Sequence, residues 1–455
     1  MVSRIIIFFS TVLTNNSISV LKASTWIIIS QVMLFLCQFL TGVLIARVLL
    51  PEGRGQYAIL LLIPTMLNLV GNMGLGVANG YYAAKNPSLS KALCANNIWF
   101  SLLASIVYGS TLIYIYVDYG FGPYSEFIMV DHIYIMTAAV FFLFFSGFSQ
   151  SLLLGTNHIA ANNVVRLFQP IILIFILILI YLLGKLTIWS SYSSWLISIG
   201  ASCLITIIFL LRLGLFSLTP DFTLFKKSIK FGTKGILAEV AGFVILQSDI
   251  LMIRNYLDDA ETGIYSIAVA LSFLLISIPQ STGKALFPYI SKLEYRDGGD
   301  GTDTAIIYCR ITFLITLAAT FIAILLAPFM ISFVYGSAYS GSVIPFIILA
   351  SAITFSGYVY VLDAQLYARG QVWVATLCSV LAASLNIALN IYLIPQYGAI
   401  GAAITSFISY IFYAFLVVII YFKLVDRNIG ELWPRISDVR IIGDFIGTKV
   451  LSKIR

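Results

Sequence analysis

The sequence predicts an all-α polytopic membrane protein of about twelve transmembrane helices in two six-helix bundles, and three observations predict it. Hydrophobic residues make up 60% of the chain and the mean hydropathy is +1.00, more apolar surface than a soluble core of 455 residues hides. Apolar runs recur, each close to the roughly 20 helical residues needed to cross a bilayer core about 30 Å thick. Charged residues are only 10% of the chain and gather between those runs.

Taken in order, the runs place spans at 25–47, 56–78, 95–117, 132–154, 163–183 and 191–213, then at 232–253, 263–287, 306–328, 341–366, 371–393 and 398–422. They divide the chain into an N-terminal interfacial segment (1–22), an N-terminal bundle (23–215), a cytoplasmic linker (216–231), a C-terminal bundle (232–423) and a basic cytoplasmic tail (424–455). The opening "MVSRIIIFFSTVLTNN" has a short apolar run behind Arg4 but no small-residue cleavage site before the first span, so it reads as uncleaved.

The cations orient the bundle. With the N-terminus inside, all 26 lysines and arginines except Arg47, Arg54, Lys185 and Arg254 fall on the inner side, as the positive-inside rule requires of cytoplasmic N- and C-termini. The net charge of +7 is then mostly topology, and no nucleic-acid partner is implied. The five cysteines lie in or beside spans without a C-x-x-C pair and read as buried thiols.

The two halves echo one another. Gly55-Gln56-Tyr57-Ala58-Ile59 aligns with Gly263-Ile264-Tyr265-Ser266-Ile267, and "LLLGTNHIAANN" at 152–163 pairs weakly with "LYARGQVWVATL" at 366–377. Six spans is an even number, so two copies of a six-helix unit enter from the same side. They would then be related by a pseudo-twofold along the membrane normal, with a cavity between them.

Catalytic signatures are missing: the sequence has no Gly-x-Ser-x-Gly, no P-loop and no metal-ligand spacing, and its two histidines, His132 and His158, flank span ends. The glycine-rich "GNMGLG" at 71–76 lies inside an apolar run and reads as close helix packing. The chain is therefore expected to be a transporter rather than an enzyme, with no catalytic residues and no metal.

Ionisable groups at membrane depth cost roughly 2.5–3.5 kcal/mol on insertion scales, so they face a cavity or a partner. Glu239 and Asp249 fall within span seven, some 80° apart at about 100° per residue, so both can face one broad cavity. They are candidates for proton or sodium coupling, or for contact with sugar hydroxyls; the alternative for Asp249 is a structural pair with an arginine. Asp363 and Lys284 lie near inner span ends, where they snorkel or pair as a gate. Arg47, Arg54 and Arg254 defy the positive-inside bias. They would either attract a phosphate-bearing substrate or form salt bridges with Glu52, Asp258, Asp259 or Glu261.

"FLTGVLIARVLLPEGRGQYAILLLI" followed by "LVGNMGLGVANGYYAAK" resembles the opening of bacterial polysaccharide flippases, whose first hairpin reads A-R-x-L-G-P-x-x-x-G-x-Y. "LQSDILMIRNYLDDAETGIYSIA" and "ALFPYISKL" continue the likeness, which covers about residues 20–425; Leu50 stands where that pattern has glycine. The resemblance implies the multidrug/oligosaccharidyl-lipid/polysaccharide exporter superfamily. It further implies translocation of an undecaprenyl-pyrophosphate-linked oligosaccharide, the O-antigen repeat unit used in lipopolysaccharide, across the bacterial inner membrane by alternating access. A polysaccharide polymerase and a chain-length regulator would be its partners. On that resemblance Arg47 contacts substrate and Asp249 is the span-seven acid, whereas Arg54, Arg254 and Lys284 are added as substrate contacts on topology and charge alone. A cation-coupled multidrug exporter, which would depend on Glu239 and Asp249 instead, a membrane O-antigen polymerase and a non-transporting scaffold are the alternatives.

Overall fold

The computed structural model describes residues 20–295 and 301–440, with side chains from Met33 onward; the expected interfacial segment (1–22) and the end of the basic tail lie almost wholly outside the described residues. Among the described residues there is no strand. The first half consists of α1 (Val20–Gly71), α2 (Leu75–Lys85), α3 (Ser90–Asp118), α4 (Val130–Gly155), α5 (Ile159–Leu182) and α6 (Ile188–Arg212). The second consists of α7 (Phe222–Tyr256), α8 (Asp259–Tyr295), α9 (Thr302–Met330), α10 (Val343–Ile353), α11 (Ser356–Ala368) and α12 (Val372–Leu424).

Nine helices among the described residues are long and apolar enough to cross a membrane, and α10 with α11, bent by 41° at their junction, makes a tenth. Two of these ten, α1 and α12, contain a non-helical residue midway, so dividing them there recovers the twelve crossings that the sequence predicts. Leu50 breaks α1 at φ 56°, ψ 178°. Pro51 explains the position: its ring bars residue 50 from the helical region, while its fixed φ suits the first residue of a new helix. Gly398 breaks α12 at φ 59°, ψ −138°. A Cβ placed on Gly401 would stand 2.3 Å from the Leu393 carbonyl oxygen. Residues eight apart in a straight helix are separated by about 12 Å, so the chain folds back at Gly398.

Two expectations are corrected. The second span does not run unbroken over 56–78: α1 stops at Gly71, and a turn with Met73 at φ 50° and Gly74 at φ 68° precedes α2. Close packing is nonetheless the reason for the glycines, because a Cβ on Gly74 would lie 2.1 Å from the carbonyl oxygen of Gly232. The expected linker at 216–231 is helical from Phe222, and its Lys226, Lys227 and Lys230 belong to the first turns of α7. Apolar positions alone did not mark that start, because the lysines interrupt the apolar run before the helix begins to cross the membrane.

The chain divides into two compact units, Met1–Ile236 and Leu237–Arg455, with α7 passing from one to the other. In the first, Leu75, Val140, Phe144 and Phe148 form a core on which Phe100 and Phe225 pack. In the second, Leu286, Ile290, Cys309, Leu362, Tyr421 and Phe422 belong to one buried cluster. Helices approach closely where glycine permits: a Cβ on Gly283 of α8 would meet the Tyr360 carbonyl of α11 at 2.4 Å. Phe321, Leu325 and Phe329, spaced four apart, stand exposed on one face of α9, as a lipid-facing surface does. All five cysteines are buried free thiols.

Candidate functional site

The most organised polar group inside the second unit surrounds Asp249. This residue lies about five turns beyond Lys230 in α7. Its Oδ2 accepts hydrogen bonds from the Tyr265 hydroxyl of α8 at 2.7 Å and from the Ser406 hydroxyl in the second limb of α12. Its Oδ1 accepts from Asn390 Nδ2, in the first limb of α12, at 2.6 Å. Asn390 Nδ2 also donates to Asn386 Oδ1 at 3.1 Å, and the Ser248 hydroxyl donates to the same Asn386 oxygen at 3.2 Å. Asp249, Tyr265, Asn386, Asn390 and Ser406 are all buried.

None of the partners hydrogen-bonded to Asp249 carries a charge, so the expected alternative of an arginine pair is not what the structure contains. Asn390 Oδ1, Asn386 Nδ2 and Thr405 Oγ1 are buried with no hydrogen-bond partner. The group thus gathers a carboxylate, amide oxygens and hydroxyls, the donor set that suits a proton or a hard monovalent cation. Among the described residues no cluster of histidine, cysteine and acidic side chains suits a transition metal. A shallow apolar crevice lies beside the group, lined by Leu246, Val269, Phe273, Ile276, Tyr410 and the same Tyr265 that holds Asp249.

The other sequence candidates have surroundings of their own. Glu239 is on the same helix but exposed, so the two span-seven acids do not share one environment. Asp363 is buried on α11, where its Oδ2 accepts from the Tyr413 hydroxyl at 2.9 Å and its Oδ1 has no hydrogen-bond partner. Lys284 is exposed on α8, one residue beyond the glycine that packs on Tyr360. Arg254 is buried in an ion pair with Asp259, the salt-bridged alternative that its loop allowed. In the first unit Arg47 is exposed and Arg54 half-buried, its guanidinium carbon 5.8 Å from the centre of the buried Tyr57 ring.

The repeat is visible at this level. Tyr57 and Tyr265, aligned by the Gly-x-Tyr match, are both buried early in the second crossing of their own unit. One lies under an arginine and the other bonds a carboxylate. Sequence reasoning missed Asn386, Asn390 and Ser406. The signal available was a pair of asparagines at i, i+4 inside an otherwise apolar run, which a search for charge alone passes over.

A multi-pass all-α membrane protein with a buried carboxylate held by neutral donors is the class that fold and site define. The chain belongs to the polysaccharide biosynthesis protein family, whose pattern matches residues 20–294. It is 22% identical over 239 residues to the "probable low-salt glycan biosynthesis flippase Agl15" of Haloferax volcanii, the match covering 51% of this chain. The chain spans about half the length of that relative, 50%. Among solved structures it resembles the lipid II flippase MurJ in an inward closed conformation, at 16% identity and a TM-score of 0.70, covering 89% of this chain and 88% of that one. It also resembles an inward-facing multidrug resistance MATE transporter of the MOP superfamily, at 15% identity and a TM-score of 0.66, covering 86% and 96%. At these identities the likeness is one of fold.

Proposed function

We propose that this chain is a flippase for a lipid-linked oligosaccharide. The observation that carries the reading is the family match over residues 20–294, joined to a relative described as a glycan flippase. The finer reading is an undecaprenyl-pyrophosphate-linked O-antigen repeat unit, moved across the bacterial inner membrane by alternating access, with both termini cytoplasmic. The outer position of Arg47 and Arg54 supports contact with the pyrophosphate, because guanidinium groups bind phosphate oxygens in paired hydrogen bonds. Lys284 and Arg254 are weaker members of that set, the latter because Asp259 already occupies it.

Coupling is assigned to Asp249. An ionised carboxylate among apolar helices with only neutral partners is costly until a proton or cation compensates it. Its three hydrogen-bond partners belong to α8 and to both limbs of α12, so loading this site on α7 bears on three helices at once. Tyr265 carries the effect to the adjoining crevice, whose wall it forms. Proton or Na+ coupling at this group is the reading its donor set supports, with Glu239 and Asp363 as secondary acids.

The experiment is reconstitution of the full chain in sealed vesicles containing a lipid-linked oligosaccharide, followed by its exposure to a glycan-modifying enzyme outside. The reading expects protein-dependent exposure, accelerated by an imposed proton or Na+ gradient, and a greater loss with Arg47→Ala than with Arg47→Lys. Efflux of cationic drugs with no glycan exposure would replace it with the multidrug reading that the second structural likeness favours.

A further inference from the structure

Residues 425–440, the described segment after the last span, stay on the protein. α12 ends at Leu424, and the segment that follows returns to the N-terminal end of α9. Arg310 Nε stands 3.0 Å from Asp438 Oδ2, and Arg310 Nη1 donates to the Glu431 carbonyl oxygen at 3.0 Å. Both side chains of this ion pair are buried. Arg427, paired with Asp303 and lying 3.2 Å from Glu431, ties the same segment to the first turn of α9.

Arg310 sets the height of this attachment. The run 311–330, "ITFLITLAATFIAILLAPFM", carries no charge, so the membrane begins within about one helical turn of Arg310. Asp438 is held at that level. Ile436, two residues before it, can be no more than about 7 Å away along the chain. Yet Ile436 is 91% exposed, Trp433 77% and Val439 58%. Arg435 and Arg440 are exposed beside them. The helix that begins at Ile436 is capped by Asp438 Oδ2, which accepts the Arg435 N–H at 2.7 Å. Ile436 and Val439, three apart, therefore share a face that the buried Asp438 does not occupy.

Large apolar side chains turned outward at headgroup level, with arginines between them, have the composition of an interfacial membrane segment. We propose that residues 429–440 bind the anionic phospholipid surface of the leaflet at which α12 ends. Trp433, Ile436 and Val439 enter the acyl boundary, Arg435 and Arg440 take headgroup phosphates, and the Arg310–Asp438 pair fixes the segment to α9. A water-borne protein partner fits less well, because the apolar residues are held at the level where lipid already is. The positive-inside orientation makes this the cytoplasmic leaflet, where anionic lipid attracts basic segments.

The test compares the full chain with its Trp433→Phe variant in vesicles of phosphatidylcholine, with and without phosphatidylglycerol. Their difference in fluorescence isolates Trp433 from the other tryptophans. It is expected to be quenched by lipids brominated near the headgroup end of the chains and shielded from aqueous iodide. Phosphatidylglycerol is expected to increase the shielding, and Arg435→Gln with Arg440→Gln to reduce that increase by about fivefold per arginine. Asp438→Asn is expected to release the segment, with iodide reaching Trp433 while the helical circular dichroism stays intact. If that variant does not fold, the quenching of the native segment still decides the matter. Trp433 open to iodide and indifferent to brominated lipid would overturn the proposal. So would a photo-crosslinker at position 436 that captures protein instead of lipid, and equal shielding in the two lipid mixtures would overturn its anionic part.

Discussion

Asp249 is held by three neutral donors, and a change in its charge is felt by all of them. Asp249→Asn preserves the shape of the group while removing the charge. If Asp249 is the coupling acid, transport should fall by roughly 5–150-fold, the range of a 1–3 kcal/mol coupling, while the melting temperature in detergent changes little. A full gradient response in Asp249→Asn would remove the residue from coupling. Leu50 makes a second residue-scale prediction. At φ 56° it holds a conformation that suits glycine, with its side chain exposed. Leu50→Gly should therefore stabilise the fold by about 1 kcal/mol, read as a higher melting temperature; an unchanged or lower one would show that the break is relaxed as it stands. The residue types at both positions were legible in the sequence, as an acid in an apolar run and a leucine before a proline. The neutral company of Asp249 was not, because asparagine and serine in a span carry no charge to draw notice.

At the scale of elements, the close approach of α8 and α11 rests on Gly283. Gly283→Ala would force its Cβ against the Tyr360 carbonyl and should cost about 1–3 kcal/mol. Gly147→Ala, in a helix where the added methyl group meets nothing within 4 Å, should be neutral or slightly stabilising. Equal melting temperatures for the two variants would refute this account of the packing. The Arg310–Asp438 pair offers a harder test: Arg310→Ala leaves a buried carboxylate without its cation and should cost about 3–5 kcal/mol. Most helices were legible from apolar runs of membrane length. The elements that sequence reasoning misplaced are those where local geometry overrides hydropathy. Met73 and Gly74 turn inside an apolar stretch, and the first turns of α7 carry a lysine cluster.

For the whole molecule, the family and the relative described as a glycan flippase are the support for the proposed cargo, while the fold alone is shared with multidrug transporters. The sugars of the proposed cargo would leave no trace in the chain, because recognition of hydroxyl groups needs no short motif. The proposed phosphate contact is the more legible part, through arginines placed against the charge rule, although Arg254 shows that a buried acid can claim such a residue for structure. The most direct measurement is the translocation of a lipid-linked oligosaccharide by the purified full chain in sealed vesicles, compared with Asp249→Asn. Glycan should become accessible outside at a rate set by the chain and by the cation gradient, with the variant slowed in proportion to its lost coupling. Glycan that remains protected in vesicles where the same chain expels cationic drugs would contradict it.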